Sequence, residues 1–136
     1  MKFQYSKIEV DYLSVVTLRI MLSLIFIVAS TNHFFNTDKV IARIENANFG
    51  SIGYLLGSLQ VSVILSGIIM LVAGLALLFG YKTRYSALAL VAVLIPITLT
   101  IQVGQLATVG PLFKNIAIMG GLLFFSINDN FKKQKQ

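Results

Sequence analysis

Polar side chains in this sequence recur inside segments that are otherwise apolar, and their spacing is the first feature to account for. In "TLRIMLSLIFIVASTNHFF", residues 17 to 35, Arg19, Ser23, Phe26, Ser30 and His33 advance by four, three, four and three. At about 100° per residue these positions share one narrow helical face. Arg19 contributes a permanent charge with several donors, and His33, the chain's sole histidine, contributes one ring donor and one acceptor. On a helix Arg19 lies about 10 Å beyond Tyr12, too deep simply to cap the helix end. Two roles stay open for it. It can snorkel to lipid phosphates, or it can serve as an internal donor to neighbouring carbonyls or an anionic ligand.

The rest of the inventory limits the chemistry. The chain has no cysteine, which removes disulfides, iron–sulfur clusters, thiolate metal sites and thiol nucleophiles. Glu9, Asp11, Asp38, Glu45 and Asp129 all fall outside the apolar segments, whereas a cation transporter or proton relay usually needs an acid at depth. A ligand would then be an acceptor or an anion, such as a quinone carbonyl, a lipid phosphate or a small oxyanion. One histidine cannot supply bis-histidine ligation, which speaks against haem. No metal site, paired carboxylates, nucleophile–base pair or phosphate loop is recognisable. No catalytic residue is assigned, and a self-contained enzyme is not visible.

The elements that must position these residues are membrane helices. Of 136 residues 57% are hydrophobic and only 12% charged, with a mean hydropathy of +0.84. Soluble domains are about a quarter charged. A helix needs about 20 apolar residues to cross roughly 30 Å of hydrocarbon. Residues 12–35, 59–80, 85–104 and 112–127 meet that need, the last only with its flanks. The expectation is an all-α four-helix bundle forming a single membrane domain over residues 1–136, because helices satisfy their own backbone groups in lipid. A basic start followed by an apolar core also suits a signal peptide, but the core is long and the cleavage signal weak. The reading is a retained helix.

Residues 36–58 form the one long connection. Val40, Ile41, Ile44 and Phe49 recur at roughly helical spacing beside Lys39, Arg43 and Glu45. This suits an amphipathic interfacial helix, with a partner-binding loop as the alternative. Gly67, Gly74, Gly120 and Gly121 are candidate helix-packing positions, since small residues let membrane helices approach closely.

Lys2, Lys7, Lys82, Arg84, Lys132, Lys133 and Lys135 fall on one side of these spans, and only Lys39, Arg43 and Lys114 on the other. The net charge of +6 thus reflects topology rather than nucleic-acid binding. The positive-inside rule puts both termini in the cytoplasm. Asn32 and His33, Gln60, Thr98 with Gln102 and Gln105, and Lys114 with Asn115 then converge on the outer leaflet. Polar helix ends explain this blandly. The sharper reading is an outer-leaflet pocket, with Asn32, His33, Gln60, Gln102, Lys114 and Asn115 as candidate ligand-binding residues and Pro96 loosening the third helix beside it; Arg19, near the inner boundary, is a separate ligand-binding candidate.

Three stretches resemble the DoxX-like family of small four-helix bacterial membrane proteins, over about residues 17 to 127. Arg19, Phe26, Ser30 and His33 occupy positions of a family pattern of arginine, phenylalanine, glycine and lysine, keeping two of the four. "VAGLALLFGYKTRYSALAL" is similar to the family's glycine-rich second helix, turn and Ala/Leu-rich third helix, with Gly74, Gly80, Thr83 and Arg84. "FKNIAIMGGLL" is similar to its last helix, with Lys114, Asn115, Gly120 and Gly121. Met70 stands where many members carry glutamate, and His33 replaces the lysine. If those two residues support redox or proton chemistry in relatives, this chain has lost it. The resemblance implies the bacterial cytoplasmic membrane and, for some members, the membrane subunit of thiosulfate:quinone oxidoreductase.

Small size and glycine-bearing faces then favour an accessory or anchoring subunit of a larger redox or energy-conserving complex, or a homo-oligomer, in contact with lipid and holding quinone or lipid. A subunit passing electrons from a sulfur compound to quinone is the first alternative. A small-solute or lipid transporter is the second, disfavoured by the lack of an internal repeat.

Overall fold

A computed structural model describes residues 8–128. Among these residues the chain is helical throughout, without strands: α1 (Tyr12–Phe35), α2 (Thr37–Glu45), α3 (Leu59–Leu78), α4 (Thr83–Ile101) and α5 (Val109–Ile127). Short 3-10 turns at Gly50–Tyr54 and Leu106–Thr108 lie in the connections. Four segments are long and apolar enough to cross a membrane: α1, α3, α4 and Leu106–Ile127, in which the 3-10 turn and α5 run on from each other. Lys2, Lys7, Asp129, Lys132, Lys133 and Lys135 lie outside the described residues.

Local chemistry sets the helix ends. The Asp11 side chain accepts from the Leu13 N–H at 2.9 Å and so caps α1, while Ser58 accepts from Val61 to start α3. At the far end of α3, Tyr81 N–H reaches Ala76 O and Gly80 N–H reaches Leu77 O, the paired bonds of a Schellman stop. Gly80 takes the left-handed backbone this requires, with φ of +72°. The second span therefore ends at Leu78, two residues before the sequence expectation. The third ends at Ile101 rather than 104, because the chain turns at Gly104, whose φ is +88°. The fourth gains its flank at the front, starting at Val109 instead of 112.

The long helices alternate in direction. α1 packs along α3, α3 along α4 and α4 along α5, with a lesser contact closing α5 onto α1. Their shared core holds Phe26, Met70, Leu77, Leu90, Leu122 and Phe125. Apolar side chains such as Met21, Val28, Val72, Leu99 and Ile116 point outward, as required of a bundle whose solvent is lipid.

One end of the bundle carries the start of α1, the α3–α4 turn and the end of α5. The opposite, connector end carries α2 and the 3-10 turns. The helix expected within residues 36–58 is present as α2. Its Ile44 is buried with Leu59 and Val63 of α3, and Val40 and Ile41 pack against that cluster with Ile101. Lys39, Ala42, Arg43 and Glu45 stay exposed. The apolar face of α2 thus covers the bundle end.

Candidate polar site at the connector end

The stripe on α1 faces inward. Ser23, Phe26 and Ser30 are buried, and the helix itself answers the hydroxyls: Ser23 Oγ donates to Arg19 O at 2.7 Å and Ser30 Oγ to Ile27 O at 2.6 Å. This back-bonding is how a helix carries serine in an apolar setting. His33 does likewise, its Nδ1 lying 3.1 Å from Ala29 O. The compact stripe also lets α3 come close. A Cβ added to Gly67 would lie 2.8 Å from His33 Cβ, and one on Gly74 would lie 3.1 Å from Ile27 Cγ1. A Cβ on Gly121 would meet Leu22 Cδ1 at 2.9 Å, whereas Gly120 faces open space with nothing within 4 Å.

Arg19 reaches the opposite end. Its guanidinium lies against Gly80, where an added Cβ would come within 2.7 Å of Nη1. A cation at the C-terminal turn of α3 faces the negative end of that helix dipole. Its Nε is buried and has no hydrogen-bond partner among the described residues. Arg19 is therefore far from the other candidates, at the end of α1 remote from Asn32 and His33.

Of the candidates at the connector end, Gln102 borders a cavity whose wall includes none of the others. The cavity, of about 290 Å³, is bounded by Arg43, Asn46, Ile101, Gln102, Gln105, Thr108 and Pro111. α2 supplies Arg43 and its C-cap Asn46, the end of α4 supplies Ile101 and Gln102, and the turn into α5 supplies the remainder. Hydrogen bonds brace this turn. Thr108 Oγ1 donates to Gln102 O at 2.8 Å, and Asn48 Nδ2 donates to Gly104 O at 2.8 Å across the two connections. Asn46 Nδ2 is engaged with Ala42 O at 2.7 Å. Gln102 Oε1 is buried and without a hydrogen-bond partner among the described residues.

The other candidates are placed elsewhere. Asn115 is buried, and its Nδ2 donates to Thr98 Oγ1 at 3.0 Å, which in turn donates to Leu94 O at 2.7 Å. It ties α5 to α4 and does not border the cavity. Asn32 is exposed and accepts from Asn36 at 3.2 Å. Gln60 and Lys114 are exposed and absent from the cavity wall. His33 packs between α1 and α3, as described.

Arg43, Asn46, Thr108 and Pro111 were not among the sequence candidates. A faint signal existed for them: Gln102, Gln105 and Thr108 recur every third residue, as on one side of a tight turn, and Arg43 and Asn46 are also three apart. What the sequence lacks is any mark that these two stretches meet.

The family model described as DoxX matches residues 14–103. None of the curated proteins and none of the solved structures compared with the chain matches it. The matched segment ends before α5, so the likeness of Lys114, Asn115, Gly120 and Gly121 to a family pattern lies outside it. It runs from the first turn of α1 past the end of α4, the greater part of this multi-pass membrane protein, and the chain belongs to the DoxX family.

Proposed function

We propose that the chain is an accessory or anchoring subunit of a larger redox or energy-conserving complex in the bacterial cytoplasmic membrane, where its connector-end cavity holds the polar end of a quinone or lipid. The observation that carries this reading is the cavity itself. It gathers a cation, Arg43 of α2, and the polar side chains Gln102, Gln105 and Thr108 where α4 ends and α5 begins. A small site with a few convergent polar groups is the usual form of a ligand pocket. A quinone carbonyl finds donors in Arg43 and the Gln105 amide. The outward apolar faces of all four long helices leave room for a partner's helices as well as for lipid.

Family membership favours one specific form of this reading, a membrane subunit of a thiosulfate:quinone oxidoreductase, since DoxX is linked to such subunits. In that form the chain binds quinone while a partner supplies the redox groups.

Native mass spectrometry of the tagged protein, gently extracted from its own membranes, tests the proposal. A stoichiometric larger partner is expected. Recovery solely as a monomer or homodimer would overturn the subunit reading. The cavity is read separately, because Gln102→Leu should lower the amount of co-purified quinone or lipid without lowering the yield of folded protein.

A further inference from the structure

Three buried side-chain atoms lack a partner among the described residues: Arg19 Nε, Ser62 Oγ and Gln102 Oε1. Of these residues Arg19 alone carries a full charge, and the fold gives that charge no counter-ion. Its guanidinium makes no hydrogen bond or ion pair among the described residues. Asp38 and Glu45 lie at the connector end, in α2, and Asp11 uses its side chain to cap α1. The last carbonyls of α3 take the N–H groups of Gly80 and Tyr81, and none of them accepts from Arg19. The negative end of α3 eases the charge without supplying an acceptor. Nε is closed off, so whatever answers the charge must meet the other two nitrogens. Nη1 and Nη2 are not among the buried atoms. On one side the fork rests on the bare Cα of Gly80, where an added Cβ would lie 2.7 Å from Nη1 and 3.4 Å from Nη2. The guanidinium is thus packed on one side and open at its terminal nitrogens.

Position sets the class of ligand. Gly80 lies just past the end of α3 at Leu78, on the turn into α4 that carries exposed Tyr81 and Tyr85, the usual residues of a membrane boundary. At that level the abundant anion is lipid phosphate, whose oxygens match an arginine fork two at a time. The surrounding field favours a net negative headgroup. Lys82 and Arg84 are exposed on the same turn, and α4 starts there without a side-chain cap, leaving its positive dipole end open. No acidic residue occurs from position 46 to position 128. A choline headgroup would bring its own cation into this field. Phe79, next to Gly80, is exposed and offers an acyl chain an apolar surface. We propose that Arg19 and the α3–α4 turn hold one anionic phospholipid, its phosphodiester oxygens accepting from Nη1 and Nη2. Of the two roles open to Arg19, contact with lipid phosphate is the one its packing leaves. The site lies at the opposite end of the bundle from the connector-end cavity and does not rest on the proposed function.

Arginine occurs only at positions 19, 43 and 84, which makes the contact measurable. Full-length protein carrying Arg43→Lys and Arg84→Lys keeps every charge and leaves Arg19 as the sole arginine. With its guanidinium carbon isotope-labelled, in phosphatidylglycerol bilayers, solid-state NMR should give a carbon–phosphorus distance of about 4 Å, as paired charge-assisted bonds impose. Absence of a close contact would overturn the proposal, because water or the chain itself would then answer the charge. Specificity is read by native mass spectrometry of protein delipidated in detergent and given phosphatidylglycerol or phosphatidylcholine of identical acyl chains. The wild-type protein should retain phosphatidylglycerol about tenfold better, and Arg19→Gln should lower its retention about tenfold, as for one charge-assisted contact. Lys82→Gln and Arg84→Gln remove the same charge from exposed positions and should each cost only about twofold. Equal losses in all three variants would replace the site with a diffuse positive surface and overturn it. Binding of inorganic phosphate without retention of phosphatidylglycerol would overturn the lipid as the source of the anion. The distance measurement leaves Arg19 in place, so it decides the matter even if Arg19→Gln fails to fold.

Discussion

Asn115 donates to Thr98 at 3.0 Å in a buried setting, the one side chain to side chain hydrogen bond joining two spanning helices among the described residues. Such bonds average only about 0.6 kcal/mol in membrane helices, but an unanswered buried amide costs about 1–3 kcal/mol. Thr98→Val, which strands the Asn115 amide, should therefore destabilise the bundle more than Asn115→Leu, which removes the demand. Reversible unfolding in mixed micelles measures the difference, and equal losses would show that the pair is not coupled. Arg19 offers a second test. Gly80→Ala forces a side chain into φ of +72°, at about 1–2 kcal/mol, and also pushes against the guanidinium. The substitution should cost measurably less in an Arg19→Met background, with the coupling read from a double-mutant cycle. The sequence revealed that Asn115 and Arg19 were unusual for their surroundings. It did not reveal their partners, because a partner on another helix depends on rotation and register that only packing fixes.

Elements were more legible than their contacts. Hydropathy located all four spans, since the requirement for about 20 apolar residues is set by the bilayer and not by neighbours. Their ends shifted by a few residues where Gly80 and Gly104 turn the chain. The glycines were legible as a class and not individually. Gly120 and Gly121 are adjacent, hence about 100° apart on α5, and only the second meets Leu22 of α1. Gly74→Leu or Gly121→Leu should each destabilise the bundle by about 1–3 kcal/mol through overpacking. Gly120→Leu should be close to neutral in the same unfolding assay, since nothing stands within 4 Å of the new Cβ. A loss at Gly120 as large as that at Gly121 would mean that another chain covers this face in solution. The cavity was the least legible feature, for it forms where residues 43–46 and 101–111 meet, far apart in sequence and tied by Asn48 to Gly104.

For the whole molecule, the decisive quantity is which end faces which compartment, because this determines where the cavity opens. Lys82 and Arg84 lie at the end that carries the start of α1 and the end of α5, while Lys39, Arg43 and Lys114 lie at the connector end. The described residues alone give the connector end no deficit of cations. The bias toward a cytoplasmic terminal end comes chiefly from Lys2, Lys7, Lys132, Lys133 and Lys135, with Arg19 close to the same boundary. Short flanking segments are where such charges set orientation most strongly. The chain has no native cysteine, so single cysteines report topology without background. In intact cells an impermeant maleimide should label Lys39→Cys and Ser51→Cys, and should reach Lys82→Cys only after the membrane is opened. That outcome puts Arg43 and Gln102 on the outer face, within reach of outer-leaflet headgroups or of a partner on that side. Labelling of Lys82→Cys alone would place the cavity on the cytoplasmic face, and the search for its ligand and partner would move to that side.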